Sequence, residues 1–285
     1  MGGTVVEQSM PGAASRPAPI RTSRFAFRNF TRALGLRPLA LLRLALLARF
    51  LGLWEWGYRT GRVDPFFFSA PSLIWATLVK LFESGRIWPH ITTTAREALI
   101  GLVLGFAVGI VLGFLAALKG LVGELIEPVM LLLNSVPRIV LAPIFILWLG
   151  IGPNSKIASA FFLVFVVIFF AVYTGLREVP PSLVARVRVL GGGRWVLLTE
   201  VYLPSVMTWI FSSLRITVGF AFTGAVVAEV IASTQGLGYL LNFAQNSFNA
   251  SLMMATVAII MAMIMLLFAV LQRVENYLMR WKRAA

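Results

Sequence analysis

The chain of 285 residues has no cysteine and a single histidine. Disulfide staples and thiolate metal sites are therefore excluded. His90 alone supports neither a metal-ligand set nor a histidine relay, and reads as a side chain at a membrane interface. Charge is scarce too. Lys, Arg, Asp and Glu make up 13% of the residues, where soluble domains carry about 25%. Acid is scarcest, with 11 Asp and Glu against 25 Lys and Arg, a net charge of +14. Acids so few and scattered build no catalytic cluster at one depth, so a membrane-embedded enzyme is disfavoured. No G-x4-GK[ST] phosphate loop occurs, so the chain has no ATP-binding cassette of its own.

What remains is apolar. Hydrophobic residues are 59% of the chain, in runs that reach the roughly 20 residues a helix needs to cross a bilayer. The fold class that follows is an all-α polytopic membrane protein with about six transmembrane helices. Its basic residues sit in tails and loops, the distribution of the positive-inside rule rather than of a nucleic-acid surface.

Residues 1–36, with Arg16, Arg21, Arg24, Arg28 and Arg32, read as a disordered basic cytoplasmic tail. Residues 37–58 read as the first crossing; Arg43 and Arg49 snorkel inward, and Trp54, Trp56 and Tyr58 mark its outer end. Residues 59–90 form an external segment in which Pro71-Ser72 opens an amphipathic helix turning Leu73, Leu78, Leu81 and Phe82 inward, stopped by Gly85. Residues 91–276 are the core, with crossings at 98–118, 128–149, 157–176, 205–232 and 252–271 and a charged loop at 180–204. Residues 277–285, with Arg280, Lys282 and Arg283, close the chain on the cytoplasmic side. Arg59, Arg62, Lys80, Arg86 and Lys156 fall outside in this topology.

Within the core, Gly101, Gly105, Gly109 and Gly113 recur every four residues on one helix face. Small residues at that spacing admit a neighbouring helix closely, either inside the subunit or at a dimer seam. The third crossing is interrupted by Asn134, Pro137, Arg138 and Pro143. An arginine at that depth needs water or a partner, and proline-freed carbonyls need a cavity or other protein. The fourth crossing is uncharged and rich in Phe and Val, and reads as a lipid-facing wall. In the fifth, Arg215 and Glu229 lie 14 residues apart on one face, about 20 Å along the axis. Each then needs its own partner or water, which favours a cavity-lining face; the alternative is that both snorkel to opposite interfaces. Gly236-Leu237-Gly238-Tyr239 opens an external loop to Asn249.

The loop at 180–204 organises the rest. Pro180 and Pro181 break the preceding helix. Ser182 caps a short helix over 183–190, Gly191 to Gly193 end it, and 194–200 form a second short helix. Pro204 then starts the next long one. The product is a compact basic knob between crossings.

This knob resembles the second half of the EAA loop of bacterial ABC-importer permeases, E-A-A-x3-G-x9-I-x-L-P: Gly191 is followed after nine residues by Val201-Tyr202-Leu203-Pro204. Ala185-Arg186-Val187 stands where the family has Glu-Ala-Ala. Val136-Pro137-Arg138, Leu141-Ala142-Pro143, Leu147-Trp148-Leu149-Gly150-Ile151-Gly152, Ser213-Leu214-Arg215, Ala228-Glu229 and Gly236-Leu237-Gly238 are similar to the nitrate/sulfonate/taurine branch. The resemblance implies a type I importer permease in the bacterial inner membrane, multi-pass with both termini cytoplasmic. It implies two ATPase subunits, a substrate-binding protein and a second permease copy as a homodimer. ATP and magnesium would sit on the ATPase, with no cofactor in this chain. ATPase coupling would fall to Ala185, Arg186, Gly191, Leu203 and Pro204, and the translocation pathway to Asn134, Arg138, Arg215 and Glu229. The cargo would be a small anion or organic acid. The competing class is an ion-gradient-driven secondary transporter; it calls for inverted repeats and intramembrane acids, and no repeat is evident.

Overall fold

A computed structural model describes residues 37–278, and every regular element among them is helical. The calls on residues 1–36 and 279–285, and on the Arg138 side chain, fall outside the described residues. Two compact units are present, residues 1–53 and 54–285. Of the first, the described part is the start of helix α1 (Arg37–Arg59), where Leu42, Leu44, Leu46 and Phe50 are exposed.

The second unit opens with a single turn, α2 (Pro65–Phe68), and the helix α3 (Pro71–Glu83). Leu78 and Leu81 of α3 pack inward as the periodicity predicts, whereas Phe82 turns out and meets the Trp88 ring edge-on at 5.7 Å. Ala70 occupies the cap position, Pro71 the first turn, and the Ser72 N–H donates to Glu55 Oε2 at 3.1 Å.

Three long helices form the core: α4 (Ile87–Leu118), α7 (Pro153–Arg177) and α9 (Arg194–Ile231). The glycine stripe of α4 lies against α7 within the subunit. A Cβ built at Gly101, Gly105, Gly109 or Gly113 would come within 2.5–2.9 Å of the Cβ of Ala160, Val164, Ile168 and Val172 respectively. Both helices advance four residues per rung, so they run parallel and in register. α7 also meets α9, which runs in the opposite direction, with Gly224 against Ala160 and Gly175 against Trp209. The fourth crossing is thus the buried centre of the bundle rather than a lipid-facing wall: Val164, Ile168, Phe169 and Val172 have no exposed surface. Lipid tails are as apolar as these side chains, so association is decided by close packing and polar pairing.

The third crossing is two pieces. Helix α5 (Gly120–Ser135) begins earlier than expected and carries Pro128 within it. At Val136 the backbone turns extended, as expected before a proline; one 3-10 turn (Arg138–Val140) then leads into α6 (Leu141–Leu149). The fifth crossing also differs. Pro204 lies in the first turn of the regular α-helix Leu203–Ile231, as expected, but no loop precedes it: α9 runs on from Arg194 through a π turn over Leu197–Tyr202 in which the Leu203 N–H reaches Leu198 O. Widening the turn accommodates a proline that offers no donor to the residue four back. Residues after Gly236 form a helix, α10 (Leu237–Asn246), rather than a loop, and α11 (Ala250–Leu278) follows. Among the described residues α4, α7, α9 and α11 are each long and apolar enough to cross a bilayer. The other expected crossings correspond to α1 and the interrupted α5–α6 pair.

Replacing Gly105 by Leu tests the rung. Overpacking a fitted contact costs about 1–3 kcal/mol, so the melting temperature and folded yield in detergent should both drop. Gly219→Ala, where an added Cβ meets nothing within 4 Å, should leave both unchanged. Equal behaviour of the two variants would mean that this contact does not hold α4 on α7.

Candidate functional site

Two features stand out, at opposite ends of the core. The first is the knob. Helix α8 (Pro181–Val189) starts from Pro180 at the cap position, not from Ser182. Gly191 adopts φ +81°, the left-handed conformation that glycine tolerates. The Gly191 N–H then donates to Arg188 O at 3.0 Å and the Gly192 N–H to Val187 O at 2.8 Å. This paired closure satisfies carbonyls that the helix end leaves open. A small apolar core of Val179, Val184, Val187, Leu197, Val201 and Tyr202 ties α8 to the first turns of α9. Val189, Leu190 and Trp195 are left at the tip, 87%, 86% and 78% exposed, among Arg186, Arg188 and Arg194. Ala185, Arg186, Gly191 and Leu203 are exposed, while Pro204 is half-buried in α9.

The second feature lies at the α10 end. Glu229, on α9, is 1% exposed and hydrogen-bonded through both oxygens. Thr94 Oγ1 on α4 donates to Glu229 Oε1 at 2.7 Å, and the Gly238 N–H donates to Glu229 Oε2 at 2.7 Å. Thr94 Oγ1 also accepts from the Leu237 N–H at 2.8 Å. The carboxylate therefore sits on the N-terminus of α10, where unpaired amides and the helix dipole favour an anion. Each glycine of Gly236-Leu237-Gly238 has a separate reason. Gly236 has φ +112° and abuts the Glu229 carboxyl, while a side chain at Gly238 would strike Val226 O. The Gly236 N–H donates to His90 Nδ1 at 3.1 Å, and the His90 ring stacks on Tyr239 at 5.8 Å. Asn242 Nδ2 closes the latch on Val230 O at 2.9 Å.

Beside this latch lie two groups that sequence reading did not single out. Glu97 and Lys156 continue the α4–α7 ladder by one rung beyond Gly101 and Ala160. Lys156, read as lying on the outer side, is 1% exposed; its ammonium donates to the carbonyls of Ile151 and Gly152 and interacts with both Glu97 and Glu229. Glu97 is 3% exposed, and its Oε2 has no hydrogen-bond partner. It borders a polar cavity of about 290 Å³ lined also by Arg96, Thr92 and Gln235. The available signal was the spacing itself: a charge on each helix in phase with the small-residue series.

The residues read as pathway lining are not gathered in one place. Glu229 is enclosed in the latch, so burial with partners, not a cavity face, answers its charge. Arg215 is exposed on α9 beside Phe268, Leu271 and Gln272 of α11, and Asn134 is exposed near the end of α5. At mid-depth a largely apolar hollow of about 220 Å³ lies between α6, α7 and α9, lined by Ile139, Leu163, Phe220 and Val227. Among the described residues no group of His, Cys, Asp and Glu is arranged to hold a metal ion.

Residues 109–284 match the family model described as "Binding-protein-dependent transport system inner membrane component". The chain is 28% identical to the riboflavin transport system permease protein RibX of Chloroflexus aurantiacus, over 97% of this chain and 99% of the relative. It is 27% identical to the putative aliphatic sulfonates transport permease protein SsuC of Bacillus subtilis, over 85% and 87%. With the taurine transport system permease protein TauC of Escherichia coli it shares 26% identity over 84% and 89%. Among solved structures, an inward-facing form of the MetNI methionine ABC transporter aligns with 68% of this chain and 94% of that chain. The TM-score is 0.52 and the identity 18%, a likeness of fold.

Thr94→Val tests the latch. Leaving a buried acceptor and donor unpaired costs about 1–3 kcal/mol, so the melting temperature should fall and proteolysis should rise at 232–249. Thr94→Ser, which keeps the hydroxyl, should restore both. Protection unchanged in Thr94→Val would show that α10 is held by other contacts.

Proposed function

The chain belongs to the family of binding-protein-dependent transport system inner membrane components: it is an ABC-importer permease, and from that premise we propose that it admits a small anion or organic acid. An external binding protein delivers the cargo. ATP and magnesium act on separate ATPase subunits, and two copies of this chain enclose the path. The α8 end faces the cytoplasm with both termini, and the α10 end faces outward. RibX, SsuC and TauC serve riboflavin, aliphatic sulfonates and taurine by their names, which supports a small polar or acidic organic cargo here. Asn134, Arg138 and Arg215 line the path in this reading, since an anion leaving water needs positive charge that does not bind it too tightly.

The observation that carries the reading is mechanical. The knob is braced by its own core on the root of α9, and α9 runs without a break from that knob past the bundle core to Ile231. A load on the exposed tip passes straight along one helix to the far side of the protein. Val189, Leu190 and Trp195 supply an apolar contact, and Arg186 a charged rim. Ala185 stands where the family's loop has its acid, so apolar contact takes a larger share of the dock.

Trp195→Ala combined with Leu190→Ser removes that contact at the surface, far from the bundle core. In the reconstituted importer, stimulation of ATP hydrolysis by loaded binding protein should fall at least tenfold, and the ATPase should wash off the purified permease. The permease itself should melt as before. Full stimulation in the double variant would rule out the tip as the docking site.

A further inference from the structure

The end of the ladder sets two carboxyls against each other inside the bundle. Glu97 on α4 and Glu229 on α9 are 3% and 1% exposed, and their carboxyls hydrogen-bond one another. An ionised carboxyl only accepts, so a bond between two of them contains a proton. The surrounding donors decide which residue carries it. Thr94 Oγ1 and the Gly238 N–H donate to the two oxygens of Glu229, which therefore keeps the negative charge. Glu97 has no such support: its Oε2 is sealed from solvent and meets no donor. Lys156 supplies none, because its ammonium donates to the carbonyls of Ile151 and Gly152.

Charge balance agrees. The other ionisable groups near the pair are Lys156 on α7, Arg96 and His90 on α4, and Tyr239 on α10. Lys156 is buried and interacts with both acids. Arg96 is exposed, as are Lys80 and Glu83 of α3, while His90 and Tyr239 stack on each other beside Gly236. Neither the turn 232–236 nor α11 as far as Gln272 contains an ionisable side chain. With one proton, the pair sets a single negative charge against a single buried ammonium. Without it, two adjacent carboxylates face that one cation, and uncompensated charge away from water is costly. The strain of losing the proton cannot be relieved between α4 and α7, which interlock at Gly101. It falls on α10, ten residues held at their start through Thr94 and Glu229. The polar cavity of about 290 Å³ that Glu97 and Lys156 border gives a departing proton a way to water.

We propose that Glu97 and Glu229 bind one proton between them, and that this proton keeps α10 docked on α4 and α9. The docked state holds one proton more than the released state, so docking weakens as pH rises. The opening constant grows by about tenfold per pH unit. Growth starts above the pH at which a solvated glutamate loses its proton, about 4.3, and stops where the shared proton itself leaves. None of this rests on the cargo or coupling reading.

The test uses the full chain in lipid nanodiscs. Infrared spectra at neutral pH should show the carbonyl stretch of a protonated carboxyl, and Glu97→Gln should remove that band. In this variant the amide donates to Glu229 at every pH. Hydrogen exchange at residues 237–242 is then compared between the two chains, so that intrinsic exchange and the titration of His90, common to both, cancel. The ratio of wild-type to variant exchange should rise by about tenfold per pH unit and level off where the wild-type band fades. Absence of an acid band that Glu97→Gln removes overturns the proposal. So does a ratio that stays constant with pH, or a band that fades while α10 remains protected. Should Glu97→Gln fail to fold, the coincidence of band loss and α10 release in the wild-type chain decides.

Discussion

The closeness of α4 to α7 is the constraint on which the rest of this structure depends. In a bilayer two apolar helices gain little from leaving lipid for each other, so what holds them is the density of contact that small residues permit. Four glycines give α4 a groove, and Ala160, Val164, Ile168 and Val172 fill it rung by rung. With α7 seated there, α9 packs against it at Gly175 and Gly224 and meets α4 as well. The core is therefore a three-helix cluster with α7 at its centre. Its regularity also decides what happens at the end of the ladder. The next rung carries Glu97 and Lys156 in place of small residues, so the register that packs the helices also brings the buried charges together.

Buried charge then dictates the local fold. A carboxylate away from water must find donors, and Glu229 finds them in a threonine of α4 and an amide of α10. That need explains why a glycine-rich turn follows α9: backbone has to approach the carboxyl closely, and Gly236 and Gly238 leave no room for a side chain. The latch binds α4, α9 and α10 through one side chain. It stands at the end of the bundle away from the knob, so both ends of α9 are anchored, one by apolar contact and one by hydrogen bonds.

Much of this was legible in the residues, and the failures have common causes. The four-residue glycine series announced a tight helix contact, though not whether the partner was internal. Pro180, Pro181 and Gly191 bounded the knob helix, because proline and glycine act through local backbone geometry that needs no tertiary context. Pro204 stands in the first turn of the long α-helix as read; what the residues did not show is the π turn that joins that helix to the knob without a loop. The stretch 157–176 was read as facing lipid because a protein neighbour and a hydrocarbon neighbour ask for the same side chains. Lys156 and Glu97 were left outside the crossings because charges near helix ends are normally solvated at the interface. Their burial follows from position on the ladder, not from residue type. The helix α10 was hidden by its two glycines, which serve Glu229 rather than a flexible loop.

Interlocking also limits where the molecule can move. Rungs that leave no room for a methyl group cannot slide past one another in small steps, since packed interfaces switch between discrete arrangements rather than deform. A push along α9 from the knob would carry α7 and α4 with it as one block. The slack lies where the ladder does not reach: the extended residues and 3-10 turn between α5 and α6, and the π turn at the root of α9. Both border the segments assigned to the pathway and to coupling. In the proposed reading, motion delivered at the knob displaces this rigid core against those two irregular turns.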